Sequence, residues 1–97
     1  MVSFTKSGNV GIRLAGGNAV GIFVAAVQHG SSAAQQGLDP GDQLLKVNEA
    51  DMAGVTREEA VNMLVALKDR VELLTEHNAV RYREVITAQK GDSFYIR

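Results

Sequence analysis

Cysteine is absent from the 97 residues of this chain and proline occurs once. Without cysteine there are no disulfides, no thiolate metal sites and no cysteine nucleophile, although that absence alone does not fix the compartment. No sign of charge dominates: Lys and Arg total 10, Asp and Glu 11, for a formal net charge of −1. Non-specific phosphate binding needs a basic surface, and this balance supplies none. No apolar run approaches the roughly 18 residues of a membrane span. The opening Met1-Val2-Ser3-Phe4-Thr5-Lys6 is not a secretory signal. Met1 and Arg97 read as cuts in a longer protein.

What is present is ordinary for a soluble globular domain, 45% apolar and 22% charged. A chain this long makes one domain, which buries roughly 60–65% of its extended surface and needs one coherent core. Val2-Ser3-Phe4 predicts a short strand. Val10, Ile12 and Leu14 stand two apart and predict a strand with one apolar face. Ile22–Val27 predicts a second, more continuously apolar strand, antiparallel to the first. Ser31 or Ser32 caps a short helix, Ala33–Gln36, which Gly37 ends. Asp39-Pro40-Gly41-Asp42 makes a tight turn into the strand Gln43–Val47, with a very short edge segment near Ala50–Met52.

The clearest helix spans about Arg57–Leu67. Thr56 is its N-cap and Glu59 completes a capping box, with Val55 and Ala60 at the staple positions. Ala60, Met63, Leu64 and Leu67 form a buried stripe with Val61 at its border, while Glu58 and Asn62 face out. Val71–Thr75 predicts the last strand. The order gives an α+β domain: a small bent antiparallel sheet, or partial barrel, of five to six strands capped by two helices. His77–Gln89 fits helix and strand equally badly. Lys90-Gly91-Asp92 reads as a turn, and Ser93–Arg97 as a strand with no obvious partner.

The informative stretch for function runs from Asn9 to Leu14. Glycine inside a strand pattern marks a close backbone approach, and Gly8, Asn9 and Gly11 surround Val10 where the strand begins. Such a loop can turn successive amides toward one point and make a nest for an anion, with Lys6 adding positive field. A strand whose far edge faces the long helix can accept an extended peptide as a further strand, its carboxylate in the nest and its last side chain between strand and helix. The plainer alternative, that Gly8 and Gly11 only shape the start of a hairpin, stays open on the pattern alone.

These residues resemble a known family. Asn9-Val10-Gly11-Ile12 stands where PDZ domains carry their Gly-Leu-Gly-Phe carboxylate loop. Gly21-Ile22-Phe23-Val24, Ser31-Ser32-Ala33-Ala34, Gly41-Asp42-Gln43-Leu44-Leu45-Lys46-Val47-Asn48 and Glu59-Ala60-Val61 are similar to that family's later motifs, in order, across residues 2–75. Asn9 replaces the first glycine, Ile12 the aromatic and Ser32 a proline. The strings Val10–Asn18, Val20–Val24, Arg57–Val61 and Gly91–Arg97 further resemble the third PDZ domain of the zonula occludens scaffolds, within the membrane-associated guanylate kinase class.

The resemblance implies a non-enzymatic module, without cofactor or metal, that binds carboxyl-terminal tails. The amides of Val10, Gly11 and Ile12 hold the carboxylate, helped by Lys6. Val10, Ile12, Leu14, Val61 and Leu64 line the last side chain's pocket, and Arg13, Leu14 and Arg57 line the groove beyond it. An apolar pocket calls for an aliphatic terminal residue. Arg57 stands at the first groove-facing helix position, where domains that select Ser or Thr two residues before the terminus usually carry His. A guanidinium accepts no proton, so its alkyl stem is expected to cover an apolar side chain there; the bland reading is a solvated first-turn residue. The resemblance also implies a scaffold at the cytoplasmic face of cell–cell junctions, partnered by tails such as those of junctional adhesion molecules. It makes 1–75 the binding domain and 76–97 a connection into a following SH3 domain. That connection is expected to stay out of the groove and to cost at most about 1–2 kcal/mol on removal.

Rival readings follow the same residues. A His29–Ser31/Ser32 pairing for catalysis lacks an orienting group and an oxyanion site, and His77 reads as solvent-facing. Two histidines without cysteine make no metal site. A protease-associated PDZ domain fits the segment 91–97 poorly. The remaining alternative is a structural or dimerising module that packs on an SH3 neighbour.

Overall fold

A computed structural model describes residues 1–6, 9–88 and 91–97. The expected contributions of Gly8 to the nest and of Lys90 to a turn lie outside the described residues. The strands are β1 (Val2–Thr5), β2 (Ile12–Gly16), β3 (Ile22–Val27), β4 (Asp42–Val47), β5 (Ala50–Asp51) and β6 (Arg70–His77). The helices are α1 (Ser32–Gln35), α2 (Arg57–Ala66) and α3 (Ala79–Ala88). All strand pairs are antiparallel, in the order β1-β6-β4-β3-β2 with β5 on β4. This is the expected α+β architecture, with a third helix added. Because β2 closes one end of that order, one of its edges pairs with β3 and the other is left for something else.

The period-two apolar residues do what their spacing requires. Ile12 and Leu14 of β2, Ile22 and Val24 of β3, Leu44 of β4 and Val71 and Leu73 of β6 point into one core, joined by Ala60 and Leu64 of α2. Two register shifts interrupt the ladders. On β3, Ala25 is the additional residue between Val24 and Ala26, and on β4 Leu45 is the additional residue between Leu44 and Lys46. An additional residue leaves the ladder and must find another partner for its carbonyl. Met52 N–H takes that of Leu45 at 3.0 Å, and the Tyr82 hydroxyl that of Ala25 at 3.3 Å.

Both caps form. Ser31 Oγ accepts from Ala34 N–H at 3.2 Å, so of the two candidate serines Ser31 is the N-cap. Thr56 Oγ1 accepts from Glu59 N–H and Glu59 Oε1 from Thr56 N–H, each at 3.1 Å, completing the capping box. Ala60 and Leu64 are buried, with Val61, Met63 and Leu67 packed against the same core.

The segment after residue 75 departs from expectation. β6 runs on to His77, which is exposed as expected but does not stand alone, its Nδ1 lying 2.6 Å from Asp42 Oδ1. α3 then lies on the outer face of the sheet. Phe23 points away from the core that takes Ile22 and Val24, yet it has no solvent exposure. The Tyr82 ring stands 6.1 Å from it. Val85, one turn on, is also buried.

Candidate functional site: a groove along the edge of β2

The groove lies between β2 and α2. Val10, Ile12 and Leu14 have no solvent exposure and share the core cluster with Leu64 and Val61. Gly11 adopts φ +83, and a Cβ there would stand 2.3 Å from Ser31 Cβ. Both facts demand glycine, because a side chain is strained in that conformation and the cap of α1 occupies the space. The carbonyl of Gly11 accepts from Gln28 N–H at 2.7 Å, and its φ of +83 turns its own N–H to the opposite side, away from β3.

What that amide meets corrects the sequence-based expectation for the chain's last residues. Gly11 N–H donates to the carbonyl of Ile96 at 2.8 Å, and Ile96 N–H donates to the carbonyl of Ile12 at 2.7 Å. Asp92 N–H donates to the carbonyl of Leu14 at 2.8 Å. The stretch 92–96 therefore lies along the edge of β2 that β3 does not use. Ile96, 1% exposed, is a member of the core cluster with Ile12, Leu14 and Leu64. Ser93–Arg97 was expected to lack a partner and residues 76–97 to stay out of the groove. Residues 92–96 instead occupy it, because the edge of β2 is the nearest unused row of backbone donors and acceptors.

The groove's charged residues are engaged by the same stretch. Arg57 Nε lies 3.1 Å from Asp92 Oδ1, and Arg57 Nη1 reaches the carbonyl of Gly16 at 3.4 Å. Arg13 Nε donates to the Asp92 carbonyl at 2.9 Å, and its guanidinium carbon sits 5.7 Å from the Tyr95 ring centroid. Phe94, two positions before Ile96, lines a cleft of about 350 Å³ with Arg57, Glu58, Val61 and Asp92. Lys6 is placed differently from its expected role. Its Nζ donates to the carbonyls of Leu64 (2.9 Å) and Val65 (3.1 Å), capping the C-terminal end of α2, where the helix dipole favours a cation.

Asp92, Phe94 and Ile96 are the groove residues that sequence reasoning missed. A signal was available: Phe94-Tyr95-Ile96 sets an apolar residue two places before an aliphatic one, the pattern the groove was expected to favour. Elsewhere, Ser31 Oγ is committed to the α1 cap and His29 is exposed. Among the described residues no group of three or more His, Cys, Asp or Glu could hold a metal ion. Nor, among the described residues, is any helix long and apolar enough to cross a membrane.

A strand edge, an amide-bearing glycine loop and a helix enclosing an apolar slot are the parts of a PDZ domain, and the chain belongs to that family: the PDZ domain pattern matches residues 1–76. PDZ domains are binding modules that add an extended peptide to a sheet edge. The chain is similar to tight junction protein ZO-3 of the dog (Canis lupus familiaris), 52% identical over 99 residues, and to human (Homo sapiens) tight junction protein 2, 50% identical over 99 residues. Both alignments cover 100% of this chain but only 11% and 8% of those relatives. Among solved structures it is similar to the third PDZ domain of INAD, seen in complex with a TRP channel tail. The TM-score there is 0.68 at 29% identity, over 76% of this chain and 80% of that one. It is also similar to the second PDZ domain of choanoflagellate (Monosiga brevicollis) Dlg1, with a TM-score of 0.66 at 30% identity, over 78% of this chain and 97% of that one.

Proposed function

We propose that the groove captures the carboxyl-terminal tails of other proteins, with an aliphatic last residue and an apolar residue two places before it, as part of a scaffold at the cytoplasmic face of cell–cell junctions. The observation that carries this reading is the pair of bonds around Ile96. An extended segment on β2 receives the Gly11 amide on its carbonyl and gives its own amide to Ile12, while its aliphatic side chain fills the slot beside Leu64. A terminal carboxylate set where the Ile96 carbonyl lies brings a full negative charge to the Val10–Gly11–Ile12 loop. Charge-assisted bonds of that kind are roughly twice as strong as neutral ones.

The junctional setting is supported by the similarity to tight junction proteins along the whole chain. Tails of junctional adhesion molecules are the partners this reading favours, and an SH3 domain following residue 97 is the neighbour it expects. Calorimetric titration with a peptide ending in free Val, against its amidated twin, tests the carboxylate assignment. Binding of the acid and silence of the amide is the expected result. Equal affinities overturn the assignment, and no binding of either favours a purely structural role against the SH3 neighbour.

A further inference from the structure

We infer that residues 92–96 are a resident ligand of the groove, which a partner tail must displace in order to bind; this rests on the tail-capture reading above. Three separate contacts hold the segment: the Ile96 backbone and side chain at the slot, the Asp92 carboxylate on Arg57, and the Asp92 backbone between Leu14 and Arg13. Gly91 adds a fourth constraint, since a Cβ at that position would stand 2.7 Å from the Leu14 carbonyl oxygen and 2.9 Å from Ala15 Cβ. The chain's approach to β2 is shaped for contact.

The fit is also incomplete, in a way that makes displacement possible. On β2 the bonded carbonyls of Ile12 and Leu14 are two residues apart, whereas their donors Ile96 and Asp92 are four apart. A regular antiparallel ladder matches these intervals, so the segment bows outward between its two anchors. Phe94 and Tyr95 lie in the bow and remain 50% and 37% exposed. At the slot, the segment continues into Arg97 and offers the Gly11 amide a neutral carbonyl in place of a carboxylate. A partner ending in a carboxylate with regular strand pairing supplies both missing elements.

Tethering compensates for the poorer fit, because a short linker holds a segment at an effective concentration in the millimolar range. The apparent dissociation constant for a partner is then the intrinsic one divided by the fraction of molecules whose groove is open. Ile96→Asp removes the buried aliphatic anchor. Moving such a side chain out of an apolar site shifts an equilibrium by roughly ten- to a hundredfold, and the open fraction rises accordingly.

The test titrates the unmutated chain and Ile96→Asp with a labelled peptide ending in Phe, any residue and free Val, and with its amidated form. The expected result is that Ile96→Asp binds the acid about tenfold tighter or more. Equal affinity in the two folded chains overturns resident occupancy and leaves tail capture standing. Absence of binding in both overturns tail capture as well. A second measurement needs no variant: hydrogen exchange at the Ile96 amide, held by the Ile12 carbonyl, is expected to speed up when the unmutated chain is saturated with the acid peptide. Unchanged protection at saturation overturns displacement whatever the behaviour of the variant.

Discussion

The Nε of Arg57 stands 3.1 Å from Oδ1 of Asp92, so the first residue of α2 is tied to the segment lying on β2. The side chains are 26% and 19% exposed, so the pair is partly shielded from water. Its consequence is positional. Arg57 bonds Asp92 and Gly16 through its nitrogens and lines the cleft with Phe94 and Val61, and the reading proposed above has its alkyl stem face that cleft.

Selectivity two places before the terminus should follow from that stem. A tail with Phe there is expected to bind about tenfold better than the same tail with Ser, as the aromatic covers apolar surface and the hydroxyl finds no acceptor on a guanidinium. Arg57→His restores a ring nitrogen that can accept, and should narrow the gap. A peptide array varied at this one position reads both, and a clear Ser or Thr preference in the unmutated chain contradicts the assignment.

Gly11→Ala should damage fold and site together. The new methyl sits at φ +83 and 2.3 Å from Ser31 Cβ, so Ser31, the cap of α1, must move. A cost above about 2 kcal/mol is expected in urea denaturation, more than an unstrained surface change produces. Tail affinity should fall by about tenfold or more in the remaining folded fraction, since one misplaced charge-assisted bond is worth roughly that much. A variant of normal stability and affinity would mean that the loop is looser than the geometry indicates.

The capping box gives acid-side pH dependence. The Thr56 backbone N–H, and after it the Thr56 side chain, bond the Glu59 carboxylate and hold its pKa below the ordinary 4.5, against a small opposing effect of desolvation. The folded value being depressed, this contribution to stability is present above the unfolded pKa and lost as pH falls through the folded one. Glu59→Gln should therefore destabilise the chain at pH 7, and the deficit should shrink as pH is lowered below 4.5 toward the depressed folded value. Thr56→Ala should cost about 1 kcal/mol at neutral pH. Urea midpoints across that range check this, and a Glu59→Gln deficit that persists undiminished in acid speaks against it.

Features with a local period were legible in the sequence, and contacts set by reach or by a sheet edge were not. Ile12 and Leu14 at alternate positions, and Thr56 with Glu59 three residues on, each report geometry that neighbours in sequence create. The path of Asp92–Ile96 depends on β2 having an unused edge; the spacing of Phe94 and Ile96 matches what that edge accepts, but only the sheet topology brings the two together. Lys6 illustrates reach: its long side chain carries the ammonium to the carbonyls of Leu64 and Val65, a contact that sequence proximity to the glycine loop does not encode. α3 was obscured because Tyr82 and Val85 turn toward the sheet while Val80 is 72% exposed, so the apolar residues do not form one stripe.

Residues 76–97 should prove far more than a loosely attached connection. Phe23 projects from β3 opposite to Ile22 and Val24, and its complete burial coincides with α3 lying over that face. The Tyr82 hydroxyl also bonds the Ala25 carbonyl that the β3 irregularity releases, and Asn78 N–H bonds the Gly41 carbonyl at 3.0 Å. His77 is held by Asp42, whose other oxygen accepts from Asp39 N–H and fixes the turn before β4. Ending the chain at Thr75 removes these bonds together with Val85 and Ile96, and exposes Phe23. Returning one large apolar side chain to water costs roughly 1.5–3 kcal/mol, so the combined loss should exceed about 4 kcal/mol. That is a large part of the roughly 5–15 kcal/mol available to a small domain, and well above the 1–2 kcal/mol that the sequence suggested. Tyr82→Ala isolates the outer face without touching the groove: about 2 kcal/mol of stability should go, while tail affinity stays within about twofold. Chemical denaturation of the three chains decides the matter. A chain ending at Thr75 that keeps its unfolding midpoint would show that α3 rests on the sheet without supporting it.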